Sequence, residues 1–227
     1  MDVDTAIRSR GSVRAFLPRP VSRTAVSGIL DSARYAPSGS NIQPWHVHVV
    51  AGGLRDSICH QVQAAAVHDR ASYPKVYDYY PRTWREPYLA RRRACGWGLY
   101  SLLGIAKGDR EAGLRQEVQN FDFFGAPVGL FFFIDDDLGY GSWLDYGMFL
   151  QSIMLAAQAS GLATCPQAAW APFHKIIRAP LGVPESRILI CGMALGYADQ
   201  AAEVNGYRPD RLGVDEFTTW HGLGAGE

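Results

Sequence analysis

The sequence has no charge excess: Lys plus Arg number 22 and Asp plus Glu number 22, so the formal net charge is +0 at pH 7. A general nucleic-acid binder usually carries a basic surplus, and that class is excluded as a first reading. The one local basic run, Arg91-Arg92-Arg93, reads as a solvated helix face or a subunit contact rather than a phosphate patch. Cysteine is scarce. Cys59, Cys95, Cys165 and Cys191 lack the close spacing of a zinc knuckle or a redox dithiol. They are expected to be reduced, buried small hydrophobes in a cytoplasmic protein. No Gly-x-Gly-x-x-Gly follows a strand, which argues against a Rossmann dinucleotide site. No Gly-x-Ser-x-Gly elbow occurs either. The six histidines are scattered, and none has the partners of a triad or a metal site. The longest apolar run, Val128 to Ile134, is too short to cross a bilayer. Met1-Asp2-Val3-Asp4-Thr5 has no apolar region of the kind a signal peptide needs. No internal repeat is evident.

What is present is ordinary in bulk, 48% hydrophobic and 19% charged, and fits a globular chain. The pattern predicts a short helix from Asp2 to Arg8. A second is capped by Ser22, with Val26, Ile29, Leu30 and Ala33 on one face and Pro37 as its stop. Helices are also predicted over Leu54–His68, Leu89–Ala106, Glu111–Val118 and His174–Ala179, the last ended by Pro180. Strands are predicted over His46–Val50, Val128–Ile134 and Ile188–Leu195. The longest helix, Ser142–Ser160, is apolar on more than one stripe, so it buries more than one side; a subunit interface is a natural place for the second. Gly161 is its C-cap candidate. Between Tyr73 and Tyr88 six aromatics are interleaved with Pro74, Pro81 and Pro87, which predicts an irregular excursion or lid. Asp135-Asp136-Asp137 reads as a solvated turn, because the later ligands of a calcium loop are missing. No regular β-α-β alternation appears, so the fold class is α+β.

Two segments crowd chemistry into few residues. Arg10-Gly11-Ser12-Val13-Arg14 can offer guanidinium forks, an amide and a hydroxyl to an anion. Arg208 and Arg211 lie in a downstream segment that can fold back to the same anion. Taken singly, arginines are surface residues, and spacing alone ranks these only slightly above that. Ala36-Pro37-Ser38-Gly39-Ser40-Asn41-Ile42-Gln43-Pro44-Trp45 has more polar, conformationally special residues than a turn requires. It can aim amides and hydroxyls at a planar ligand, with Trp45 anchoring it in the core.

The order Arg10-x-Ser12-x-Arg14-x-Phe16, the loop Ala36–Trp45, Gly192-x-x-Leu195-Gly196-Tyr197 and Arg208-x-x-Arg211 resembles the FMN-dependent nitroreductase family over nearly the whole chain. Phe123–Val128, Gly141–Gly147 and Thr164–Ala169 are most similar to its nitrobenzoate-reductase branch. The resemblance implies a single domain over 1–227 with a mostly antiparallel central sheet, a helical and aromatic lid near 70–120, and an extended tail near 200–227. It implies an intertwined homodimer with FMN at the subunit interface and NADH or NADPH as transient donor. It places Arg10, Gly11, Ser12, Arg14 and Arg211 at the phosphate and ribityl end, with Arg208 as a weaker candidate. Pro37, Ser38, Gly39, Ser40 and Asn41 would line the neighbour's flavin. Asn120 would meet the pyrimidine edge, and Pro166, Gln167, Ala168 and Ala169 would run beside the ring, the last two offering amides near N5. The family often has Glu-Gly where this chain has Ala168-Ala169.

The activity implied is ping-pong hydride transfer from NAD(P)H to a nitrobenzoate-like aromatic. The flavin carries the chemistry, so neither a catalytic side chain nor a metal is expected. The same resemblance admits a reductase of quinones, enones or halogenated rings, or a flavin-binding protein without turnover. Tyr79, Tyr80, Trp84, Phe123 and Phe124 are candidates for an aromatic wall above the ring.

Overall fold

The structure, a computed structural model, describes residues 1–223. The last four residues of the expected tail lie outside the described residues. Along the described chain run β1 (Phe16–Leu17), β2 (His46–Ala51), β3 (Val128–Asp135), β4 (Ala163–Gln167) and β5 (Arg187–Ala198). The helices are α1 (Val3–Ser9), α2 (Arg23–Ala33), α3 (Gly52–His68), α4 (Tyr88–Leu102), α5 (Arg110–Val118), α6 (Tyr140–Ala159) and α7 (His174–Leu181).

The strands form one sheet of order β1-β5-β3-β2, with β4 also paired to β5. Every strand pairing is antiparallel. β5 is the spine. Its Arg187–Leu195 stretch pairs with β3 on one edge. On the other edge Gly192–Gly196 pairs with β4, and Tyr197–Ala198 with β1. Side chains alternate across a strand, and β3 uses both sides. Phe131 and Phe133 enter one apolar cluster, while Leu130, Phe132 and Ile134 enter the other. Helices cover both faces, which explains why β3 reads as a continuous apolar run.

Local sequence accounts for the helices that flank the site. Ser22 Oγ accepts from the Ala25 amide at 3.1 Å and starts α2. Val26, Ile29 and Ala33 recur at helical spacing and are buried. α6 buries Tyr146, Phe149, Ile153 and Ala157 along one stripe. The Tyr146 hydroxyl lies 3.0 Å from the Phe133 carbonyl and 3.2 Å from that of His46, across β3 and β2. The opposite stripe stays apolar and uncovered: Leu144 is 73% exposed and Met148 41%. Gly161, at φ +73°, follows the helix end, in the left-handed region where glycine costs least.

Three expectations need correction. Pro180 does not end α7; it sits in the last turn, and Gly182 at φ +62° terminates the helix. β1 and β4 were not among the expected strands. Cys95 is exposed, although Cys59, Cys165 and Cys191 are buried as expected and all four are free. α4 and α5 bury no residue, and residues 73–87 carry neither helix nor strand. Among the described residues no helix is long and apolar enough to cross a membrane.

Candidate functional site

The first candidate segment is laid along β4. Ser12 makes an isolated parallel bridge with Thr164, and the Val13 amide donates to the Thr164 carbonyl at 3.1 Å. The tail is pinned beside it: the Arg14 amide donates to Asn205 Oδ1 at 2.7 Å, and Asn205 Nδ2 donates to the Ala15 carbonyl at 2.7 Å. This brings Arg208 over Gly11, where an added Cβ would lie 3.1 Å from the guanidinium carbon. Arg208 Nη1 donates to the carbonyls of Asn205 and Tyr207. Arg14 Nη1 donates to the Ser12 carbonyl at 3.2 Å. Arg10 Nε is buried with no partner. The partners of Arg14 and Arg208 are carbonyls, and among the described residues no carboxylate pairs with Arg10, Arg14 or Arg208, so this segment carries unanswered positive charge suited to an anion. Arg211 donates to the carbonyls of Pro209 and Asp210 and lines a cavity of about 560 Å³ with Arg91, Cys95 and Arg208. Burial pushes the Cys165 thiol up to about 11, with Arg14 and Ser12 opposing it. At neutral pH it is a thiol, not a nucleophile.

The far end of β4 runs into a 3-10 turn, Ala168–Phe173. Pro166, Gln167, Ala168 and Ala169 border a cavity of about 410 Å³, together with Asn120. Ala168 is four residues past Thr164, roughly 13 Å along an extended strand. Gln167 is 3% exposed; its Nε2 donates to the Asn120 carbonyl at 2.7 Å, while Oε1 is buried with no partner. Trp170 and Phe173 bury completely and fasten this strap to the core. Trp170 lies over Gly192, where a Cβ would come within 2.5 Å of its ring.

The aromatic candidates divide. Tyr79 and Tyr80 border the cavity beside Tyr77, whose hydroxyl donates to the Ile190 carbonyl. Burial raises the Tyr77 pKa, so it remains a neutral donor. Trp84 touches Tyr80 at a ring separation of 5.2 Å but borders a neighbouring cavity. Phe123 and Phe124 are corrected: they are core residues, not wall residues. Phe123 is fully buried, stacks on Trp170 at 4.4 Å, and occupies the space a side chain at Gly129 would need. Both sit at positive φ, +49° and +54°, which turns their side chains inward.

The loop is held apart from these groups. The Gly39 amide donates to the buried Asp145 carboxylate of α6 at 3.1 Å. The Gln43 amide donates to Ser38 Oγ at 3.0 Å, and Trp45 stacks on Phe149 at 4.5 Å, so Trp45 is the anchor. Ser40, Asn41 and Gln43 adopt φ of +51°, +58° and +50°. Left-handed backbone at non-glycine residues is costly and persists where the surroundings over-determine it. Pro37, Gly39, Ser40 and Asn41 are exposed, and Ser38 half-buried. Asp135 bonds His46 at 3.1 Å and Arg187 at 3.0 Å. Among the described residues no cluster of three or more His, Cys, Asp or Glu could hold a metal ion. Asp145 and Asn205 were not anticipated as organisers. Asp145 did lie inside the Gly141–Gly147 motif; Asn205 gave no signal.

The family model described as "Nitroreductase family" matches residues 7–197. The chain belongs to the nitroreductase family. It is 43% identical over 222 residues to the 4-nitrobenzoate reductase of Pseudomonas putida, covering 98% of this chain and 96% of that one. It is 38% identical to the nitrobenzene nitroreductase of Ectopseudomonas oleovorans, covering 96% of each. The crystal structure of NfnB, described as an FMN and NADPH-dependent nitroreductase from Sphigopyxis sp. strain HMH, superposes with a TM-score of 0.95 at 41% identity, covering 98% of this chain and all of that one. The α+β nitroreductase fold expected from the motifs is therefore the fold found.

Proposed function

We propose that this nitroreductase-family protein is an FMN-dependent enzyme that uses NAD(P)H to reduce nitroaromatic compounds. The observation that carries the reading is the pair of unmatched polar sites at the two ends of β4. Arg10 Nε is orphaned near the Ser12 end, and Gln167 Oε1 is orphaned beside a ring-sized cavity at the other. A buried polar atom without a partner costs stability unless a ligand satisfies it. FMN fits this donor set, with a dianionic phosphate at one end and a flat ring with a donor N–H at the other. The FMN and NADPH named for the NfnB structure support the assignment.

Arg10, Ser12 and Arg14 hold the phosphate and ribityl end. The placement of Arg208 over Gly11 supports it ahead of Arg211, the reverse of the sequence ranking. Asn120 and Gln167 meet the pyrimidine edge. Pro166 sets the strand's exit, and the amides of Ala168 and Ala169 open the 3-10 turn, where first-turn N–H groups lack internal acceptors. When bound, the flavin supplies a reversible hydride site used in turn by NAD(P)H and the nitroarene. The protein's part is to hold, orient and exclude water, which agrees with the absence of a side-chain nucleophile from the motifs.

The protein works as a homodimer, with Pro37, Ser38, Gly39, Ser40 and Asn41 lining the partner's flavin. Two observations support this: the loop is braced on α6 rather than bonded to its own β4, and α6 leaves Leu144 and Met148 uncovered. The chain acts as one domain, with the segment near 70–120 as a lid and the tail bracing the anion site. Free thiols fit a reducing compartment such as the cytoplasm.

The test is a visible spectrum and an FMN titration of wild type, Arg10→Ala, Arg208→Ala and Arg211→Ala. Losing one charge-assisted contact, worth about 1.5–3 kcal/mol, should weaken FMN roughly 10- to 100-fold for the first two variants. Unchanged affinity in both refutes the anion assignment. Sedimentation of a fully active monomer would contradict the shared site.

A further inference from the structure

The cavity above the strap carries full charge of one sign. Arg70 and Lys75 border it and, among the described residues, no acidic residue does. The Arg70 charge is already answered, its Nη1 lying 2.6 Å from Glu117 Oε1. Lys75 forms no ion pair among the described residues. Nor is Lys75 on a loose stretch of chain. Two residues before it, Tyr73 packs against Phe173 at 5.2 Å. Two residues after it, Tyr77 is tied to the β5 carbonyl of Ile190. The backbone of Lys75 is thus fastened on both sides at the cavity rim. Around it the walls are built for a flat ring, with the small side chains of Ala168 and Ala169 below and the rings of Tyr79 and Tyr80 at the side.

We infer that Lys75 is a specificity-determining residue that takes the carboxylate of an aromatic acid, so that the enzyme prefers anionic to neutral nitroarenes. The inference rests on the proposed reading of this site as the place where the nitroarene is reduced. An ammonium at the rim gains more from a ring-borne carboxylate, with which it forms a charge-assisted pair, than from a neutral ring. The cavity of about 410 Å³ lies low in the range of small-molecule sites, and with the flavin ring on its floor the remaining space suits a substituted benzene better than a whole dinucleotide.

The test separates binding from turnover, using FMN-loaded wild type, Lys75→Gln and Lys75→Arg. Benzoate and its neutral isostere benzamide are titrated through the shift they cause in the bound flavin's visible spectrum. Steady-state kinetics with para-nitrobenzoate, nitrobenzene and NADPH give KM and kcat for each. Lys75→Gln should weaken benzoate binding and raise the para-nitrobenzoate KM about fivefold, the scale of a partly solvated ion pair. Its kcat, and all values for benzamide and nitrobenzene, should hold. Lys75→Arg should restore the preference, and added salt should shrink it. Equal losses for charged and neutral ligands overturn the inference. So does a raised KM for NADPH with para-nitrobenzoate unaffected, which assigns the ammonium to the nucleotide. Normal turnover of both nitroarenes without a Lys75-dependent charge preference also sinks it, while leaving the proposed activity standing. Lys75-dependent benzoate binding in a protein that reduces neither nitroarene keeps the anion site and discards that activity.

Discussion

The floor and the roof of the same cavity are built in opposite ways. The floor, Pro166 to Phe173, is paired to β5 through β4 and sinks Trp170 and Phe173 fully into the core. The roof, Tyr73 to Trp84, has no regular structure, and Tyr79 and Tyr80 stand 62% and 53% exposed. Its ties to the body are few, notably Tyr73 on Phe173 and the Tyr77 hydroxyl on Ile190. Rigidity is concentrated where a ring must be held against fixed amides. Freedom is left where ligands must enter and leave, as expected of lids drawn from the low-stability end of a fold.

Three substitutions test that contrast, in descending size of effect. Trp170→Ala should lower unfolding free energy by about 3–5 kcal/mol, since it empties the floor's main anchor; urea denaturation measures it. A loss below about 1 kcal/mol would mean the floor is not core-anchored. Gly192→Ala should cost about 1–3 kcal/mol by overpacking against the Trp170 ring. That cost should largely vanish in the Trp170→Ala background, a coupling that a double-mutant cycle reads directly. Tyr80→Ala should change stability by no more than about 0.5 kcal/mol, yet alter the KM for aromatic substrates. A stability loss matching that of Gly192→Ala would erase the distinction between floor and roof.

Legibility followed the same division of local from long-range causes. α2 could be read because its cap, Ser22, and its buried stripe, Val26, Ile29 and Ala33, are local signals. β3 could be read because its apolar run is buried on both faces. β4 could not. Ala-Thr-Cys-Pro-Gln is short and holds a proline, which is tolerated because Pro166 lies past the bridge between Ser12 and Thr164, where β4 pairs with β5 on one side only. Phe123 and Phe124 looked like wall residues because nothing local announces two consecutive left-handed residues. The fate of Phe123 was set by the missing side chain at Gly129 and by Trp170, which lies far along the chain. The same holds for the site. The arginine and loop motifs stood out in order, but the turn of Arg208 over Gly11 needed Asn205, and Lys75 acquires meaning only when the excursion meets the strap.

The short length of β4 has an evolutionary consequence. One extended strand separates the bridge at Ser12 from the strap at Ala168, so the gap between anion pole and ring floor is counted in whole residues. Inserting or deleting one residue between Thr164 and Ala168 would do more than lengthen or shorten that gap. It would shift the register by one and swing Gln167 to the opposite face. Indels should therefore accumulate among descendants of this chain in the roof and be purged from this strand, so that new substrates are acquired by rebuilding the excursion while the ruler beneath it stays the same length.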